Sequence, residues 1–174
     1  MPGDLPFIQS GIVLYDRANW SARAHGFKRA ADILSEHILA RITDGDLVIY
    51  PIVFLYRHYV ELELKSIIYR GKENLGERKK LKPTHKLFDL WSECSGLLHC
   101  KGAVVDTPEA AAFEEGIRQF DQFDAKSDSF RYPVDKNNET TPSAYLKSID
   151  LPNLRLTVNK MAFFLELVDE VLCR

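Results

Sequence analysis

From Trp20 onward, apolar residues return at alternating spacings of four and three: Trp20, Ala24, Phe27, Ala31, Leu34, Ile38 and Ile42. That rhythm fits the 3.6-residue period and predicts a long amphipathic helix from about Asp16 to Thr43, ahead of an Asp44-Gly45-Asp46 turn. The stretch Tyr50 to Arg70 is different, strongly hydrophobic yet carrying Arg57, His58, Glu61, Glu63 and Lys65. Set around a helix at about 100° per residue, it has two apolar stripes, Val53-Val60-Leu64-Ile67 and Leu55-Leu62-Tyr69. Glu63, Ser66 and Arg70 fall between the stripes on one side, where water is expected. Arg57, Glu61 and Lys65, at i, i+4 and i+8, fall on the other side with His58 beside them. A helix apolar on two flanks is expected at the centre of its fold with one polar strip covered by protein. Pro51 is placed in its first turn or at a kink, and Gly71 is expected to end it.

The remaining pattern is also helical. Residues 71–83 read as a loop, and Thr84 as the N-cap of a third helix with Leu87, Leu90, Trp91, Cys94 and Leu98 on one face. Thr107-Pro108-Glu109 supplies N-cap, first-turn proline and first-turn acid for a fourth helix to about Phe123, buried through Phe113, Ile117 and Phe120. Residues 124–150 are irregular, which in a compact domain marks a functional or partly disordered segment. Within them Phe130, Tyr132 and Val134 read as a short strand or as packing on the bundle. Asp150 caps a last helix whose Leu154, Val158, Met161, Leu165, Val168 and Leu172 keep a heptad-like seam, widened by Phe164. The fold class is therefore all-α: a bundle of about five helices, with a long irregular segment before the last. Residues 1–15, with Pro2, Gly3 and Pro6, form an N-terminal extension to a single domain over 16–174.

Composition changes this picture little. At 174 residues the chain is long enough to bury a full core without disulfides or metal. Its 45 % hydrophobic and 28 % charged residues are ordinary for a soluble domain, and a net charge of −2 gives no global argument for nucleic acid or membrane. Three cysteines without a CxxC suggest a reducing cytoplasm and buried thiols. Neither a signal peptide nor a membrane span is expected.

Charge distribution says more than charge total. Arg70, Lys72, Arg78, Lys79, Lys80, Lys82 and Lys86 gather around the second loop, and acids dominate 106–128. Such a loop suits RNA phosphates through Lys72, Arg78, Lys79, Lys80 and Lys82, or acidic surface in this chain or in a second copy. The Arg57-Glu61-Lys65 ladder fits an ion-pair network worth roughly 0.2–0.5 kcal/mol per pair. It equally fits a functional cluster, because charges are rarely buried without cause. No Glu-x-x-His pair, zinc-type spacing, GxSxG or phosphate-binding glycine loop is present, so no metal or cofactor is expected.

Three pieces in order, FLYRHYVELELKSIIYRG, THKLFDLW after a basic loop, and SFRYP ahead of the final helix, resemble the HEPN superfamily of small prokaryotic helical domains. WSARAHGFKRAADIL fits the same layout, so the resemblance covers about residues 18–172. It implies a five-helix bundle, often a homodimer, with a cleft where subunits meet. Many members are metal-independent RNases of toxin–antitoxin and defence systems, and others accompany nucleotidyltransferases or act as inactive partners. The RNase members carry Arg, often a polar residue, then His after four to six residues. Imidazole can move a 2′-hydroxyl proton while guanidinium holds the phosphate. Arg57-His58 resembles the opening of that motif, but positions 62–64 are Leu, Glu and Leu. Arg131 is followed at the matching positions by Lys136, Asn137 and Asn138; Arg78 and His85 alone keep the spacing. The resemblance therefore implies an RNA- or nucleotide-binding regulatory domain without the usual RNase motif, its ligand site drawn from Arg57, His58, Glu61, Lys65, His85 and Arg131. It also leaves a metal-independent endoribonuclease using Arg57, His58 and His85, and a non-catalytic structural partner. A cognate antitoxin or a nucleotidyltransferase is the implied protein partner.

Overall fold

A computed structural model describes residues 19–42 and 44–173. Helix α1 (Trp20–Leu39) opens on Asn19, whose Oδ1 accepts from the Ala22 N–H at 3.0 Å. Helix α2 (Gly45–Asn74) follows, then α3 (Leu87–Cys100), α4 (Pro108–Asp124) and α5 (Leu151–Cys173). A single 3-10 turn, Pro142–Tyr145, interrupts the segment before α5. The described residues thus form the expected all-α bundle of five α-helices. The expected extension over 1–15 lies outside the described residues; α1 is shorter than the expected Asp16–Thr43 span, starting after its Asn19 cap and ending at Leu39, with Arg41 at φ +56° and Ile42 exposed beyond it.

Helix α2 runs through the middle of the bundle, packed by α1, α3 and α5, while α4 closes against α3 and α5. Ile52, Tyr56, Val60, Leu64 and Ile68 of α2 are fully buried in one core with Ala24 and Ala31 of α1, Leu87, Leu90 and Trp91 of α3, Ile117 of α4 and Val158 and Leu172 of α5. This helix is longer than its hydrophobic pattern suggests. It starts at Gly45 and takes Pro51 into its body, where the ring sits on the exposed side and the missing N–H costs one hydrogen bond. It also passes through Gly71, which was expected to end it. A Cβ at Gly71 would sit 3.5 Å from side chains of Leu172 and Leu97, so that glycine lets α5 and α3 approach. The stop is Gly76, at φ +69°, with Gly76 N–H on the Glu73 carbonyl and Glu77 N–H on the Lys72 carbonyl.

The caps of α4 and α5 are as the sequence predicts. Thr107 Oγ1 accepts from the Ala110 N–H at 3.2 Å, and Asp150 Oδ1 from the Asn153 N–H at 3.0 Å. The cap of α3 is not. Thr84 Oγ1 receives the Lys86 N–H, and α3 begins at Leu87 instead. Its first free N–H groups, of Leu87 and Phe88, both donate to the carboxylate of Asp121 on α4, at 3.0 and 2.9 Å. Residues 124–150 are irregular but tied down: Asp124 Oδ1 accepts from the Asp128 and Ser129 N–H groups, and Ser143 N–H donates to Ser129 Oγ. Phe130 packs in the core, whereas Tyr132 and Val134 are exposed and one isolated bridge, Val134 to Thr140, replaces a strand. Of the three free cysteines only Cys94 is fully buried; Cys100 is exposed, contrary to the expectation of buried thiols.

Candidate functional site

Both polar strips of α2 are covered. Glu63 and Ser66, expected to face water, are 6 % and 5 % exposed. Helix α1 crosses this side, and Glu63 accepts from Ser21 Oγ at 2.9 Å with His25 Nε2 at 3.5 Å. Burial pushes the Glu63 carboxyl above its ordinary range, against the Ser21 hydrogen bond and the His25 and Arg70 charges. Arg70 stays partly exposed and pairs with Asp169 of α5 at 2.6 Å. A projection of one helix shows which side chains share a face, and it cannot show how many neighbours press on that face.

The other strip holds a more connected arrangement. Arg57 is 0 % exposed, and its guanidinium is used in three directions. Nη1 donates to Glu61 Oε2 at 2.9 Å, Nη2 to the His85 carbonyl at 2.6 Å, and Nε to the Asp124 carbonyl at 2.8 Å. The carboxylates of Asp124 and Asp121 lie at 3.5 and 3.9 Å. Each contact closes a different piece of the fold: the turn above in α2, the entry to α3, and the C-terminus of α4. Arg57 is therefore a buried tie between three helices, with no face left for a ligand.

Glu61, 1 % exposed, is the hinge between that interior and the surface. Its Oε2 takes Arg57, and its Oε1 takes both Lys65 Nζ at 2.7 Å and His85 Nδ1 at 2.8 Å. Burial alone raises this carboxyl, but hydrogen bonds from Lys65, His85 and Arg57 outweigh it and hold it below the usual range. An ionised Glu61 fixes the His85 ring through Nδ1, while 60 % of the His85 side chain is open to solvent. With the proton on Nδ1, Nε2 is an acceptor on an oriented ring, the arrangement that suits a positioned base or a hydrogen-bonding contact.

His58 sits apart from this contact set. Its ring lies between Phe54, stacked at 5.4 Å, and Phe27 of α1, edge-on at 4.6 Å. Its Nδ1 is buried without a hydrogen-bond partner. Burial lowers the imidazole pKa, opposed by the Glu61 charge and reinforced by Arg57, Lys65 and Arg131. Arg131 is exposed, anchored by Nε on the Ser127 carbonyl at 2.8 Å, with its guanidinium 5.3 Å from both the Phe54 and the Tyr132 ring centres. The structure thus brings Arg57, Glu61, Lys65 and His85 into one hydrogen-bonded cluster. His58 and Arg131 flank it through Phe54.

The basic loop is partly spent inside the chain. Lys72 is held by Glu93 and donates to the Lys80 carbonyl, Lys79 pairs with Glu73, and Lys82 lies 3.8 Å from Glu93. Arg78 and Lys80 are exposed and make no ion pair among the described residues. Two neighbours of the cluster, Asp121 and Asp124, stand in the sequence only as part of an acidic run. A signal was available, because two acids in the last turn of α4 oppose the helix dipole and so need another reason to be there.

One cavity of about 670 Å³ runs between α4 and α5 along Phe113, Phe163, Phe164 and Leu167, a second opens between the start of α2 and residues 146–151, and a third, about 310 Å³, is lined by Asp121 and Asp124 beside the Arg57 tie. No described group of three or more His, Cys, Asp or Glu is placed to hold a metal, and no described helix is long and apolar enough to cross a membrane. No family model matches this chain, and neither does any curated protein or solved structure.

Proposed function

We propose that this chain is an RNA- or nucleotide-binding module of HEPN-like design whose ligand lies across His85, Lys65, Arg131 and the unpaired cations Arg78 and Lys80, and that it binds without cutting. The observation that carries this reading is the burial of Arg57. A guanidinium with three committed donors and no exposed surface cannot hold a scissile phosphate. His58, wedged between two phenylalanines and held toward its neutral form, is equally poorly placed for proton transfer to a polyanion. His85 is the outward-facing member of the three histidine and arginine candidates. A regulatory place beside a cognate antitoxin or a nucleotidyltransferase is what the HEPN likeness suggests for such a module.

The test is fluorescence anisotropy with a labelled single-stranded RNA and with a labelled nucleotide, run beside a cleavage assay in EDTA. Arg78→Glu with Lys80→Glu should weaken binding roughly tenfold or more, and Arg57→Ala should act through stability alone. RNA and nucleotide affinities that ignore the charge reversal would sink the proposal.

A second reading rests on one observation, the Glu61–His85 pair. A buried carboxylate orienting an exposed imidazole is the minimum of a general-base device. If RNA is cut in EDTA and His85→Ala abolishes cutting, the chain is a metal-independent endoribonuclease with a rearranged site.

A further inference from the structure

Four rings and a guanidinium from three parts of the fold stand in series. Phe27 of α1 meets His58 of α2 edge-on at 4.6 Å, and His58 stacks on Phe54 at 5.4 Å with 11° between the planes. The Arg131 guanidinium then lies 5.3 Å from the Phe54 ring centre and 5.3 Å from that of Tyr132. The end of the series is held still. Tyr132 N–H donates to the Asp128 carbonyl at 2.9 Å, and the Tyr132 carbonyl accepts from Thr141 Oγ1 at 2.9 Å. Pro133 restricts the Tyr132 backbone further, and Arg131 is fixed by Nε on the Ser127 carbonyl at 2.8 Å. Yet Tyr132 is 54 % exposed, with Arg131 over one face and no second ring over the other among the described residues.

We propose that the open face of Tyr132 stacks an unpaired nucleobase. This rests on the RNA- or nucleotide-binding reading above and deepens it by giving the base a place beside the phosphates. Two properties select the occupant. An exposed aromatic face takes a flat π ring, and every base has one. The cation behind that face narrows the choice. Arg131 makes no ion pair among the described residues, so the site favours a ring that brings negative charge with it. A nucleobase with its phosphate has both. Inside a duplex each base is covered on its two faces by its neighbours, so a single strand or a free nucleotide is needed to present the ring. The stack behind Tyr132 is already built, so little ordering is lost when a base arrives. Tyr132 therefore separates unpaired from paired ligands. Arg78 and Lys80 cannot, because phosphates are common to both.

The experiment is fluorescence anisotropy of the whole chain with a labelled single-stranded RNA, the same strand in a duplex and a labelled adenine nucleotide. Inorganic polyphosphate serves as a competitor that has charge and no bases. Tyr132→Ala should weaken single-strand binding roughly tenfold, leave duplex and polyphosphate binding in place, and melt with wild type. Tyr132→Phe should bind as wild type does. A fluorescent purine analogue in the strand should be quenched on binding to wild type and not on binding to Tyr132→Ala. Tyr132-dependent binding of the nucleotide alone would assign the base to a free nucleotide, and of the strand alone to RNA. Single-strand affinity that ignores Tyr132→Ala while Arg78→Glu with Lys80→Glu still weakens it would overturn this inference and leave the binding reading standing. An equal loss of polyphosphate binding in Tyr132→Ala, or a Tyr132→Phe as weak as the alanine variant, would also overturn it. A wild type that binds neither strand nor nucleotide would overturn both.

Discussion

At the scale of single residues, Arg57 carries the clearest expectation. Its removal leaves Glu61 with one fewer donor, takes the guanidinium from the His85 carbonyl and leaves the Asp124 carbonyl with the Ser127 N–H. Arg57→Ala should cost about 3–5 kcal/mol, the range for breaking a buried charged pair from one side, measurable by urea denaturation. Arg57→Lys should recover little, because an ammonium cannot reach three acceptors set in a fork. His58 gives a pH signature instead. Its imidazole stays neutral in the folded chain below the ordinary value of 6.5, while the unfolded chain takes up a proton there. The unfolded state then binds more protons, so stability falls as pH drops below about 6.5, until the lowered folded value is reached. Glu61, Arg57, Lys65 and Arg131 bear on the same ring, and all are retained in His58→Phe. That variant should flatten the stability–pH curve over this window. An unchanged slope would show that other groups dominate it.

At the scale of elements, structure is legible in the sequence where one helix supplies its own signal and is not where two cooperate. The caps of α4 and α5 are local hydrogen bonds from Thr107 and Asp150, visible as residue types at fixed offsets. The cap of α3 comes from Asp121, more than thirty residues downstream, and no local pattern announces it. Gly71 looked like a stop for the same reason. Its role is the approach of Leu97 and Leu172, a fact about three helices rather than one. The Arg57-Glu61-Lys65 ladder was legible from its spacing, but His85 joins it from outside the helix. Asp121→Ala should cost about 1–2 kcal/mol, as for loss of an N-cap acceptor, and fray the first turn of α3 in hydrogen exchange. Gly116 gives a packing test, since a Cβ there would lie 3.0 Å from Met161 Sδ on α5. Gly116→Val should destabilise by about 1–3 kcal/mol through overpacking, whereas Gly116→Ala should be milder because the methionine side chain can give way.

At the scale of the whole molecule, the charges divide into those the fold consumes and those it leaves outside. Lys72, Lys79 and Lys82 face Glu73 and Glu93, which leaves Arg78, Lys80 and Lys86 outside the ion pairs of the described residues, and of these Arg78 and Lys80 are given to phosphates in the proposed RNA reading. Each of Arg78→Ala and Lys80→Ala should lower the salt dependence of RNA binding by about one phosphate contact, read as the slope of log affinity against log salt. The Arg57 tie has one more consequence, for the order in which the chain folds. Helices α1 and α2 are sequence neighbours and can pair early. The tie, in contrast, must bring Asp124 and His85 to α2 across separations of 67 and 28 residues. Contacts that close such long loops are formed late, so losing them speeds unfolding more than it slows folding. Arg57→Ala should accordingly leave the refolding limb of a chevron plot nearly in place and lift the unfolding limb. The buried arginine would then govern how long the folded chain persists, as a latch on its lifetime.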